Sequence, residues 1–136
     1  MRRTLILLTP LLLAGCIQES ASYSVDDHAQ VLTLRAQQEY FWDDSVTLTL
    51  IAARMPDCQR QFKLGKVAAD ELTVELFAAD ENVYNLRAGA EVWQVETNTC
   101  TETAKPDPKA LGQPLGIYHL DEQGKKLVFE PAPAPR

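Results

Sequence analysis

The chain has 136 residues, with 13 Lys and Arg against 19 Asp and Glu, and three cysteines. That length accommodates one domain, and a formal charge of −6 argues against nucleic acid and against electrostatic docking on anionic lipid. At 46% hydrophobic and 24% charged residues, the composition excludes both a disordered chain and an integral membrane protein.

Met1-Arg2-Arg3 is a short cationic start, and Thr4–Leu13 is apolar apart from Thr4, Thr9 and Pro10. As a helix this stretch rises only about 15 Å, half of a ~30 Å hydrocarbon core, so it reads as an export signal and not as a spanning helix. It ends in Leu13-Ala14-Gly15-Cys16. This order resembles the lipobox of bacterial lipoproteins, which is cut by the type II signal peptidase. The resemblance covers residues 1–16. It implies that residues 1–15 are a removed signal peptide and that Cys16 becomes the N-terminus. Cys16 would then carry a diacylglycerol thioether and, in a Gram-negative cell, a third, palmitate-like chain on its amine. Two or more acyl chains give stable attachment where one is marginal. Loss of Arg2 and Arg3 with the signal takes the formal charge from −6 to −8. In Gram-negative lipoproteins an Asp after the lipidated cysteine retains the protein in the inner membrane; Ile17 stands there, which implies the outer membrane. The remainder of a twin-arginine motif is missing around Arg2-Arg3, and a positive start accounts for both residues.

Residues 16–27 are polar and small, and read as a lipidated flexible tether that could hold a domain up to about 37 Å away. The domain itself is expected over residues 28–130. Val31–Arg35 reads as an early strand, and Gln37–Trp42 as no more than a short helical turn. Val46, Leu48, Leu50 and Ala52 alternate with Thr47, Thr49 and Ile51, the period of a half-buried strand. Phe62–Leu64 is a short extra strand ended near Gly65. Leu72, Val74 and Leu76 alternate with Thr73, Glu75 and Phe77. Ala79–Asn82 turns the chain into Val83–Arg87, and Ala88–Ala90 turns it into Glu91–Thr97, where Trp93 and Val95 share a face. Ile117–Leu120 and Leu127–Glu130 form a hairpin whose loop uses the positive φ open to Gly124. Pro131–Arg136 is an extended Pro-Ala tail. About seven short strands with frequent turns predict an all-β domain, a small antiparallel sandwich or barrel. Its inner faces are expected to draw on Leu48, Leu50, Leu72, Val74, Leu76, Val92 or Trp93, and Val128 or Phe129.

With Cys16 assigned to lipid, Cys58 and Cys100 remain as an even pair in an oxidising compartment, which predicts one disulfide. A redox pair would want Cys-x-x-Cys spacing. A zinc site would need two further ligands, and the two histidines, His28 and His119, lie in unrelated contexts. Ser20, Ser22, Ser24 and Ser45 sit in no Gly-x-Ser-x-Gly elbow. The acids of Asp26-Asp27-His28 and Asp43-Asp44 are adjacent, so their side chains diverge and read as solvated loop ends. No catalytic, cofactor or metal residue is predicted, and an enzyme is not expected. Tyr40-Phe41-Trp42 alternates if it is a strand, which predicts core and rim packing; its alternative is an exposed recognition surface. The expected function is a lipid-anchored binding or structural module that docks on an envelope protein or a cell-wall polymer. The alternative is an inhibitor of a wall-degrading enzyme: small disulfide-bearing lipoproteins that inhibit lysozyme resemble it in size and address, although their Ser-Gly-x-x-Tyr stretch is not found here.

Overall fold

Alternation of apolar and polar residues builds two sheets. In the computed structural model, which describes residues 17–25, 29–124 and 126–133, the first sheet is a meander in chain order. It comprises β1 (Gln18–Val25), β2 (Gln30–Gln37), β3 (Ser45–Arg54) and β4 (Cys58–Ala68). A 3-10 turn at Ala69–Glu71 leads to the second sheet. Its strands are β5 (Thr73–Asp80), β6 (Val83–Ala88), β7 (Glu91–Glu96), β8 (Thr101–Thr103), β9 (Gln113–Leu120) and β10 (Leu127–Pro131), in the spatial order β10-β9-β5-β6-β7-β8. Every pairing is antiparallel. The expected all-β class holds, as a sandwich.

The inner faces are those the alternation selects. Leu32, Leu34 and Ala36 of β2 and Val46, Leu48, Leu50 and Ala52 of β3 face Val74, Leu76, Leu86, Trp93, Val95 and Tyr118 of the second sheet, all buried in one cluster. Leu72 and Leu127 close its edge, and Phe129 packs against it. Each such side chain contributes about 1.5–3 kcal/mol when fully buried. Val92, adjacent to Trp93, points to the other face of its sheet, where it clusters with Phe77 and Leu111. Tyr118 ties the layers together: its ring is fully buried and its hydroxyl donates to Leu32 O at 2.6 Å.

The described residues contain ten strands, more than the expected seven, and the differences have physical causes. Residues 18–25 are not a tether. Ala21, Tyr23 and Val25 turn inward while Ser20, Ser22 and Ser24 face solvent, and Ser22 Oγ shares a 2.7 Å hydrogen bond with Thr33 Oγ1. Short hydroxylated side chains masked the period of two. Tyr23 lies 6.4 Å from the Tyr84 ring and 5.2 Å from Phe129, so β1 closes the side of the sandwich next to β10. The domain therefore starts before residue 28. Phe62–Leu64 belongs to an eleven-residue edge strand that does not stop at Gly65. A register shift between Leu48 and Thr49 carries the pairing past it, and exposed Gln, Arg and Lys side chains protect this edge. The tail is shorter than expected, because Pro131 pairs with Gly116 and Ala132 N donates to Leu115 O at 2.9 Å. The signal peptide, Cys16, Asp26, Asp27, His28 and residues 134–136 lie outside the described residues.

Candidate functional site

At the far end of β3 the two sheets are cross-linked. Cys58 opens β4 and Cys100 lies between β7 and β8; they form the expected disulfide, with Cα atoms 5.9 Å apart. Arg54 Nη2 donates to Asn82 Oδ1 at 2.6 Å and Arg54 Nε donates to Thr97 O at 3.2 Å. Thr97 Oγ1 donates to Gln30 Oε1 at 2.8 Å. Glu96 accepts from Asn98 N, Thr99 N and Thr99 Oγ1. Partial burial works against its charge, but the bonds from Thr99 and Asn98 outweigh that and hold its carboxyl below the ordinary range. These groups satisfy one another, which describes a structural cap.

The outer face of the second sheet is less closed. The segment after β8 crosses it, and Leu111 fits against Phe77 and Val92. Asn85, buried, donates to Leu111 O at 2.8 Å and accepts from Gln94 Nε2 at 2.9 Å. Gly112, at φ +105, brings the crossing segment onto Ala78; any Cβ there would collide with Ala78 O. Beside this segment lies an open groove of about 410 Å³, bounded by Glu75, Phe77, Arg87, Ile117, Glu130 and Pro131. That volume falls within the usual range of about 300–1,000 Å³ for ligand clefts. Glu75 and Arg87 face each other across β5 and β6 in a bidentate pair, with Nε to Oε2 at 2.5 Å and Nη2 to Oε1 at 2.9 Å. The hydrogen bond to Glu75 raises the guanidinium above its ordinary pKa, and Arg87 also lies over the Phe77 ring, 5.3 Å from its centroid. The groove thus offers an apolar floor with one fixed ion pair.

His119 sits on the same face, with Nδ1–H donating to Leu120 O at 2.8 Å and Nε2 3.0 Å from Glu130 Oε2. Both ring nitrogens are engaged at the hairpin. Among the described residues, no group of three His, Cys, Asp or Glu side chains is placed to hold a metal ion.

The third feature is the loop between β2 and β3. Tyr40, Phe41 and Trp42 are 52%, 64% and 67% exposed, which overturns the expectation of core and rim packing. Strand alternation does not apply, because the segment is a turn: Asp43 N donates to Tyr40 O at 3.0 Å, and Ser45 N to Asp43 Oδ1 at 2.9 Å. The rings pack on one another instead of on the core. Tyr40 stacks on Trp42 with centroids 4.9 Å apart, and Phe41 meets Trp42 edge-on at 4.8 Å. Asp43 and Asp44 are here loop residues, as expected, and Lys66 reaches Glu39 at 3.3 Å and Asp43 at 4.0 Å.

The aromatic loop is legible in the sequence; the groove is not. The Glu75–Arg87 pair could not be found by counting back from the hairpin turn. From the Asp80–Val83 pair, a regular ladder puts Glu75 opposite Ala88; the irregularity between Ala78 and Asp80 moves it to Arg87. No protein-family model, curated protein or solved structure matches the chain.

Proposed function

We propose that this protein is a lipid-anchored, non-catalytic binding module of the bacterial cell envelope, held at the outer membrane by acyl chains on Cys16. The observation that carries this reading is the N-terminal sequence: a cationic start, a short apolar run and Leu13-Ala14-Gly15-Cys16, with Ile17 next. Among the described residues no helix is long and apolar enough to cross a membrane; the attachment proposed here is the lipid on Cys16. The open groove between Phe77, Ile117 and Pro131 supports a binding role: it presents apolar surface beside the fixed Glu75–Arg87 pair.

The test is fractionation of cells that make the wild-type chain or Cys16→Ala. Wild type is expected in the outer-membrane fraction, and Cys16→Ala away from it with the same folded domain. A Cys16→Ala protein that still fractionates with the outer membrane contradicts the proposal.

A further inference from the structure

Three consecutive aromatic side chains left in water are an unfavourable exposure of apolar surface unless something covers them. Among the described residues the exposed large hydrophobics are Tyr40, Phe41, Trp42 and Met55, so three of the four share one loop. The fold sets that loop beside the start of the domain. Gln38 N donates to Ile17 O at 2.8 Å, and Ile17 N donates to Gln38 Oε1 at 3.1 Å. The Gln38 side-chain amide also donates to Asp43 O, which closes the loop on itself. Ile17 packs against the core cluster and is the residue that follows Cys16 in the chain. Ile17 thus enters the sheet opposite Gln38, two residues before Tyr40.

We propose that, in the lipid-anchored protein, the Tyr40–Trp42 loop enters the headgroup region of a zwitterionic membrane, so that the domain lies on the bilayer by two contacts. This rests on the anchor reading above. Trp and Tyr are the side chains suited to a membrane–water interface, where one end of the ring is apolar and the other wet. The local charge selects the lipid class. Glu39, Asp43, Asp44 and Asp70 surround the loop, with Lys66 engaged by Glu39 and Asp43. An anionic surface would be repelled, whereas a phosphatidylethanolamine-type surface would not. The strand from Gln18 onward removes the slack that a tether would have supplied. The disulfide end, about 30 Å away along the ten residues of β3, then faces away from the membrane.

The experiment uses the mature lipidated protein in phosphatidylethanolamine–phosphatidylcholine vesicles, with and without acyl chains brominated near the headgroup. Trp42 is read as the difference between wild type and Trp42→Phe; Trp93, 7% exposed in the core, is the internal reference. The expected result is a blue shift of Trp42 emission and its loss on brominated lipid, with Trp93 unchanged. A protein with acylated Cys16 that is bound to vesicles, yet whose Trp42 emits as in water, overturns the inference and leaves the anchor standing. A blue shift without bromine quenching assigns the rings to a second copy or a protein partner, and also overturns it. A mass showing no acyl chain on Cys16 overturns both.

Discussion

Replacing Tyr118 by phenylalanine removes one oxygen from the centre of the sandwich and keeps the ring. The hydroxyl lost is the donor to Leu32 O, at 2.6 Å, where no solvent can substitute for it. The ring contact with Phe129, 4.9 Å between centroids, remains. A buried hydrogen bond whose acceptor is left with fewer partners costs about 1–2 kcal/mol. For a domain of this size that lowers the thermal midpoint by roughly 4–8 °C. The assay is thermal and urea unfolding followed by near-ultraviolet circular dichroism, with the urea slope expected to stay constant because the surface exposed on unfolding does not change. The same variant has a pH signature. Burial pushes the Tyr118 phenol well above its ordinary value of 10.0, and the neighbouring Tyr23 adds to the effect. The neutral phenol is therefore retained in the folded state while the unfolded chain ionises. Tyr118 stabilises the fold fully below pH 10 and withdraws that stability as pH rises above it, at about 1.4 kcal/mol per pH unit. Tyr118→Phe should show a shallower alkaline decline by that amount. A midpoint unchanged at neutral pH, together with an unchanged alkaline slope, would refute the view that this hydroxyl clamps the two sheets in a dry core.

Three further outcomes are expected. Cys58→Ala with Cys100→Ala opens a loop with a sequence separation of 42; in the chain-entropy model this costs about 4 kcal/mol, readable as a lower urea midpoint, and no difference from wild type would contradict a cross-link between the sheets. Gly112→Ala places a methyl group against Ala78 O and should unseat Leu111, raising amide exchange across residues 104–112 and at Phe77 and Val92, with β2 and β3 protected as before; uniform protection would contradict the close approach. The mature protein, added at micromolar concentration to a lysozyme, should leave the rate of wall lysis unchanged, and a slowed rate would favour the inhibitor reading over the binding module.

How far the sequence revealed this fold varies by element. β3 and β5 are plain because branched and long apolar residues alternate with Thr and Glu, and their inward residues are all buried, with Thr49 and Phe77 of the outward set buried as well. Trp93 and Val95 share the inner face as expected, and Gly124 has the positive φ of 67° assigned to it. β1 was hidden because its outward positions are Gln and Ser, residues equally suited to a linker, and its inward ones include a small Ala21. β8 is three residues long, too short for a period to register. The disulfide was legible because its partners are the two cysteines left after Cys16. The groove was not, since it depends on pairing irregularities and on where the segment after β8 crosses the sheet, and neither leaves a local pattern. Tyr40, Phe41 and Trp42 are exposed because their segment is a turn, where the alternation of a strand does not hold.

Everything said of location depends on Cys16, and the intact mass of the protein isolated from bacterial membranes reads that residue directly. A chain beginning at Cys16 that carries a diacylglycerol group and an amide-linked acyl chain is the expected result. A chain that retains Met1, or one with an unmodified thiol at position 16, would contradict it.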